Sequence, residues 1–240
     1  MISRAKRVFH EEGPIQVIRK GVPFVYKNFV RPHIPKHERV VRFNGIDART
    51  GDVCAVDRFV PWFEIPWYNS DDQTYEEPLI ESLRSTVETG DTVVIIGGGW
   101  GVTATVAASL VGPSGNVIVY EGAADRINDI KGTLKLNSVT DRVTVRHAIV
   151  GEPVALTGDP GHAEHIAPSD LPECDVLEMD CEGSEVDILP KLEIYPATLI
   201  VETHRNESTV RDELDNLGYK IVKRGVEIPN EIFILTAQQR

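Results

Sequence analysis

Apolar residues recur with two different periods along this chain, and the change of period divides it. Over residues 1–30 the spacing is helical. Ile2, Ala5 and Val8/Phe9 share a face among Arg4, Lys6 and Arg7. Ile15, Ile18, Val22, Val25 and Phe29 then repeat the stripe beside Arg19, Lys20 and Lys27. Pro14 suits a first helical position, and Pro23 is expected to break or kink the stretch. The Pro-rich segment 31–37 reads as a linker. Residues 38–60 read as short strands, with turns at Asn44-Gly45 and Thr50-Gly51-Asp52. Residues 61–75 mix Pro, Trp and polar residues without a period and read as an ordered loop.

From residue 75 onward the pattern is regular. A helix over 75–89 ends at Gly90, and the run Thr92–Ile96 reads as a buried strand. GGGWG at 97–101 turns into a helix through about Val111. A second strand, Asn116–Tyr120, ends at Glu121; a helix (124–137) and a third strand (Arg142–Val150) follow. After a Gly/Pro-rich connection (151–173) come a strand at Asp175–Met179, a helix at 184–192, a strand at Thr198–Thr203 and a helix at 206–217. Tyr219–Lys223 and Glu231–Thr236 have no helix between them and should pair as a hairpin. Strand–helix alternation predicts an α/β, doubly wound, mostly parallel seven-stranded sheet ending in an antiparallel hairpin. Residues 71–240 form this domain, and residues 1–70 are a helical and short-strand extension. Ligands on such a sheet lie at the carboxyl ends of its strands.

Composition narrows the class. With 41% apolar and 26% charged residues in 240, the chain is globular, and no apolar run reaches the length of a membrane span. Charges interrupt the first residues, so a secretory leader is not expected. Cys54, Cys174 and Cys181 are odd in number and widely spaced, which fits neither a disulfide framework nor zinc spacing and points to a cytoplasmic setting. The net charge is −12, yet residues 1–42 hold ten Lys/Arg and only three acids. The acidic body argues against a nucleic-acid partner. The basic, apolar-striped residues 1–30 fit either a helix lying on an anionic membrane at the inner face, or an arm packed on its own domain or on a second subunit of a homo-oligomer. Arg outnumbers Lys by 16 to 9, which with the excess of acid faintly suggests a salt-adapted source.

The turn carries the first candidate chemistry. Gly97, Gly99 and Gly101 stand two apart directly after a strand, where glycine admits positive φ and close approach of a ligand. The helix that follows presents N–H groups and a positive dipole end to an anion. Glu121, twenty residues beyond Gly101, ends the next strand and can accept both hydroxyls of a ribose. Three readings compete. One is a tight turn without a ligand. The second is a nicotinamide or flavin site, for which Val102 stands where Gly or Ala is wanted. The third is G-x-G-x-G, the S-adenosylmethionine pattern. A P-loop is excluded, because no Gly-Lys-Ser/Thr follows.

The second candidate is LEMDCEGSE at 177–185, where Asp180 closes an apolar strand at the carboxyl edge. Glu185 is explained as a first-turn acid, Ser184 as an N-cap, and Cys181 as a small buried hydrophobe. In LIVETH (199–204), Glu202 and His204 alternate onto one side of the neighbouring strand. Asp180, Glu202 and His204 also form a donor set for a divalent metal, although none is expected.

VVIIGGGWG, VIVYEG (117–122), Asn137, Ala148 at the third strand, MDCEGSE and VETH together resemble the FkbM-type methyltransferases. The likeness covers residues 75–237, and the glycine turn with the basic helical start is similar to haloarchaeal members. The resemblance implies a class I, S-adenosylmethionine-dependent O-methyltransferase acting on a hydroxyl of a saccharide or lipid-linked glycan. Gly97, Gly98, Gly99, Trp100 and Gly101 would form the cofactor loop, Glu121 would bind ribose, and Ala148 would lie by the adenine. Asp180 would fall near the cofactor's reactive end, with Glu202 and His204 on the acceptor side. His204 is the expected base, with Asp180 and Glu202 orienting it. Two positions depart from the family pattern: Ile95 where an acid is usual and Glu178 where Lys is usual. The first leaves open a non-catalytic binding protein on the same fold; a nicotinamide-dependent oxidoreductase is the remaining alternative.

Overall fold

The computed structural model describes residues 14–54, 56–62, 71–154, 158–227 and 232–240. The helical stripe expected over residues 1–13 lies outside these. The chain forms two compact units. One draws on Met1–Val41 and Thr50–Ser70, the other on Arg42–Arg49 and Asp71–Arg240.

In the first unit, α1 (Pro14–Val25) continues through Pro23. The interruption comes later, where the backbone widens into a π-helical turn at Tyr26–Val30 and tightens at Arg31–His33. Asp57 organises this unit. It accepts hydrogen bonds from the Tyr26 hydroxyl (2.6 Å), Arg31 Nε (3.0 Å), Arg31 Nη2 (3.2 Å) and the Cys54 N–H (2.8 Å). The expected strands are longer than the sequence implied. β1 is Lys36–Phe43 and β2 is Ile46–Cys54, joined by a turn with positive φ at Asn44 (48°) and Gly45 (82°). Thr50-Gly51-Asp52, expected as a turn, lies within β2; neighbouring β-branched residues carry the strand through it.

The second unit holds β3 (Asp71–Asp72), α2 (Glu77–Thr86), β4 (Thr92–Ile96), α3 (Val102–Val111), β5 (Asn116–Glu121) and α4 (Ala124–Leu136). There follow β6 (Val143–Val150), β7 (Glu164–Ile166), β8 (Val176–Met179), α5 (Glu185–Ile188), β9 (Thr198–His204), α6 (Glu207–Asn216), β10 (Tyr219–Glu227) and β11 (Ile232–Gln239). β3 pairs in parallel with Arg42 and Phe43. The main sheet has the order β10-β11-β9-β8-β4-β5-β6-β7. It therefore has eight strands rather than seven. The extra strand, β7, is three residues long and lies in the connection 151–173, too short and polar to show a period. The β9–β11 and β10–β11 pairs are antiparallel and the rest parallel, so the terminal hairpin forms as expected. The predicted helix 184–192 is α5 followed by a 3₁₀ turn at Leu189–Lys191, where Pro190 removes a donor that the helix needs.

Both sheet faces are covered. On one lies a core of Ile96, Tyr120, Leu177, Met179, Leu199 and Val201 with Ile188, Val210 and Leu214 from α5 and α6. The other carries Ile95, Val119 and Ile200, and α2 reaches it through a hydrogen bond from Thr236 Oγ1 to Ser82 Oγ (2.9 Å). The chain leaves β4 toward β5 on one side and returns through β8 on the other, so the topological switch lies at the carboxyl ends of β4 and β8.

Candidate active site

At the end of β4 the backbone turns through Gly97 with φ +96°. A Cβ on Gly97 would lie 1.8 Å from the carbonyl oxygen of Asp180, so only glycine lets the two strand ends approach this closely. Gly101 packs against Ile130 of α4, and a Cβ there would lie 3.0 Å from the Ile130 Cα. Gly99 differs. Its φ is +50°, and among the described residues, its chain neighbours aside, only Glu76 Oε1 comes within 4 Å of its Cβ position, at 4.0 Å. Packing accounts for Gly97 and Gly101, whereas Gly99 has no such close packing among the described residues. Trp100 is buried, with the Arg126 guanidinium 3.6 Å from its ring centroid.

Glu121 lies where the sequence placed it and has a role the sequence did not reveal. Its Oε2 accepts the N–H groups of Gly98 (2.9 Å) and Gly99 (3.1 Å), and its Oε1 accepts that of Ala123 (2.7 Å). The carboxylate thus braces the glycine turn from the adjacent strand. Burial raises its pKa above the ordinary value, against the opposing pull of these three donors. Ala148 is buried within β6, in the core with Tyr120 and Val150, so its side chain lies on the other face of the sheet from Glu121.

The acidic turn and β9 meet around His204. Its Nε2 lies 3.5 Å from Glu202 Oε1, 3.6 Å from Glu182 Oε2 and 3.7 Å from Asp180 Oδ1, and its Nδ1 lies 3.6 Å from Glu185 Oε1. Burial disfavours the imidazolium, but Glu185, Asp180 and Glu182 more than offset it and raise the His204 pKa. The three expected residues are therefore together: Asp180, Glu202 and His204 each bring one donor atom within 4.8 Å of the others.

Glu185 does more than start a helix. It is fully buried, and its carboxylate accepts the Gly183 N–H (2.9 Å), the Asn206 side-chain amide (2.8 Å) and the His204 N–H (3.3 Å). Burial alone would raise its pKa, yet the bonds from His204 and Asn206 bring it below the ordinary value. Asn206 also accepts the His204 N–H at 3.0 Å. Glu185 and Asn206 thus fix the backbone at His204. A polar residue two positions past the histidine was the one sequence signal for Asn206. Ser184 makes no capping bond; its hydroxyl accepts the Val154 N–H (3.0 Å). Cys181, expected as a small buried hydrophobe, is only partly buried, packed against the core, and burial of its thiol pushes the pKa well above the usual range.

A further group, unforeseen in the sequence, adjoins the turn. Tyr75 stacks on Phe43 with ring centroids 4.1 Å apart, and Glu76 follows it with φ +49° at the start of α2. Ile95 and Glu178, the two departures from the family pattern, are register partners on adjacent strands. Both are fully buried.

No family model matches the chain, and no curated protein sequence matches it. Solved structures share its fold. A ribosomal protein L11 methylase from Lactobacillus delbrueckii subsp. bulgaricus superposes with a TM-score of 0.52 at 14% identity, over 71% of this chain and 80% of that one. A SAM-dependent O-methyltransferase from Thermotoga maritima gives 0.50 at 16% identity, over 84% and 77%. A precorrin-6y C5,15-methyltransferase from Geobacter metallireducens GS-15 gives 0.50 at 16%, over 70% and 89%. At these identities the likeness establishes the fold: a Rossmann-like sheet of the kind these methyltransferases carry.

Proposed function

We propose that the chain is an S-adenosylmethionine-dependent O-methyltransferase of the FkbM type, acting on a hydroxyl of a saccharide or lipid-linked glycan. One observation carries the reading: Asp180 belongs to both halves of the site. Its carbonyl packs on Gly97, and its carboxylate lies 3.7 Å from His204. A ligand at the glycine turn therefore sits beside the His204 cluster.

The residues fit the cofactor. The open side of Gly99 leaves room for it, and the first turn of α3 offers N–H groups to its carboxylate. Glu121 spends one lone pair of Oε1 and two of Oε2 on the backbone, so Oε1 retains capacity for a ribose hydroxyl. When bound, S-adenosylmethionine supplies an electrophilic methyl group. The chain's own task is to align the acceptor oxygen and remove its proton. His204 takes that proton on Nε2, while Glu185 and Asn206 hold its backbone, and Asp180 and Glu202 stabilise the imidazolium formed. Because carboxylates raise its pKa, His204 becomes an effective base only as pH rises through that raised value. The net charge of −12 favours a glycan or small-molecule acceptor over a polyanion.

Residues 14–30 support docking on an anionic membrane. No residue of α1 is buried, although Ile15, Ile18 and Val25 are large and apolar. Between residues 14 and 37 the chain carries five Lys/Arg and no acid. Among the described residues no helix is long and apolar enough to cross a membrane. Mass spectrometry of lipid-linked glycans with and without the gene tests the acceptor: loss of one methyl group supports the reading, and an unchanged spectrum counts against it.

A further inference from the structure

Large apolar side chains are exposed mainly in the first unit. Among the described residues it holds ten of the fifteen, in about a quarter of the chain, so they are a concentration and not the single scattered residues of an ordinary surface. The α1 stripe accounts for only part of it. Phe59 is 69% exposed and Trp62 47%, at and just after a 3₁₀ turn (Asp57–Phe59), and Val56 before that turn is exposed as well. The sequence here, RFVPWF at 58–63, carries one cation and no acid. An exposed aromatic ring leaves most of the free energy of its burial unused.

Asp57 joins this turn to the helical segment. It accepts hydrogen bonds from the Tyr26 hydroxyl (2.6 Å) and from Arg31 Nε (3.0 Å), and between those two residues lie Phe29 and Val30, both exposed. Val56 and Phe59 stand within two residues of Asp57 on the other side. The two apolar groups therefore flank one buried ionic knot, in which the charges of Arg31 and Asp57 offset each other. The helical segment itself is basic: Arg19, Lys20, Lys27 and Lys36 lie in a stretch, 14–37, that has no acid. Apolar side chains on a basic segment fit an anionic bilayer, where aromatic rings settle at headgroup level and cations meet phosphates. A second copy of the chain fits poorly, because a two-fold interface would set this basic face against itself.

We propose that Phe59 and Trp62 form a second membrane contact beside α1, so that the first unit rests on an anionic bilayer at two apolar points joined through Asp57. This rests on the membrane reading of residues 14–30 above. The buried knot holds the two points in one arrangement before binding, so the second contact adds affinity without the cost of ordering a loose loop.

Co-sedimentation of the full chain with phosphatidylcholine vesicles containing phosphatidylglycerol tests this. The variant combines Phe59→Ser with Trp62→Asn and leaves α1 untouched. Asn suits position 62, whose φ is +58°, because it enters the left-handed region more readily than most residues. Both side chains are exposed, so the double variant should keep the circular dichroism spectrum and thermal midpoint of the unmodified chain. Its vesicle affinity should nevertheless fall about tenfold or more. Vesicles brominated on their acyl chains should quench the tryptophan emission of the unmodified chain, and should quench that of Trp62→Phe less. Equal vesicle affinity of the double variant and the unmodified chain, or quenching that Trp62→Phe leaves unchanged, would overturn the second contact while the α1 reading stands. If the unmodified chain stays in the supernatant with these vesicles, the membrane reading itself fails. A dimer in sedimentation velocity that the double variant abolishes, without vesicle binding, would overturn the proposal in favour of a second copy.

Discussion

Glu121 Oε2 accepts the Gly98 N–H at 2.9 Å, so the strand after the glycine turn holds that turn in place. Removing the carboxylate should act twice, by freeing the turn and by deleting the ribose acceptor. In Glu121→Ala, cofactor affinity should fall by about 1.5–3 kcal/mol, the range for hydrogen bonds to a charged group. Glu121→Gln keeps one acceptor oxygen and should lose less. Calorimetry on variants shown to be folded by circular dichroism decides this; full affinity in Glu121→Ala would remove Glu121 from the cofactor site.

His204 gives a prediction in turnover and in pH. His204→Ala should slow methyl transfer about 10²-fold or more while leaving cofactor affinity nearly intact. The rate of methyl transfer by the unmodified chain should rise with pH, with its inflection above the ordinary histidine value, because neighbouring carboxylates raise the pKa. The stability linked to the same group runs the other way: it is complete below the unfolded pKa and is lost as pH rises through the folded one. If turnover survives in His204→Ala but collapses in Asp180→Asn, the base is the aspartate. Loss of activity on chelation, restored by magnesium, would instead mark a metal-assisted step.

The buried Arg31–Asp57 pair should dominate the stability of the first unit. The Asp57 side chain is fully buried, and removing it leaves the Arg31 guanidinium, itself only 11% exposed, without this partner. Asp57→Ala should cost about 3–5 kcal/mol, read as faster limited proteolysis between residues 14 and 62. The Asp57 pKa is lowered: burial raises it, but Arg31, Tyr26 and the Cys54 N–H more than compensate. Its contribution is therefore present above the unfolded pKa and lost as pH falls through the folded value. Equal proteolysis of both proteins at neutral pH would contradict this role.

The exposed stripe of α1 should bring the full-length chain down with anionic vesicles at low salt and not with neutral ones. Replacing Ile18 and Val25 with Asp should abolish sedimentation. A protein that stays in the supernatant with anionic vesicles would rule out membrane docking through residues 14–30.

The central sheet was legible because its buried strands are continuous apolar runs punctuated by glycine and proline, as at Thr92–Ile96 before Gly97. β7 escaped, since three residues of Glu-His-Ile carry no period. The meeting of Asp180, Glu202 and His204 was legible from strand alternation at one sheet edge. The supporting residues were not. Glu185 could be explained locally as a first-turn acid, and only the fold brings its carboxylate to His204 and Asn206. Glu178 could be seen as a departure at a strand position, but that its carboxyl oxygens find no hydrogen-bond partner among the described residues emerges only once both neighbouring strands are in register.

The central claim, that the glycine turn and Glu121 form an S-adenosylmethionine site, is tested most directly by titrating the full chain with S-adenosylhomocysteine in a calorimeter. The expected result is saturable one-to-one binding that weakens in Glu121→Ala and survives in His204→Ala. No binding of S-adenosylhomocysteine or S-adenosylmethionine by the folded protein, or saturable binding of NADH in their place, would contradict it.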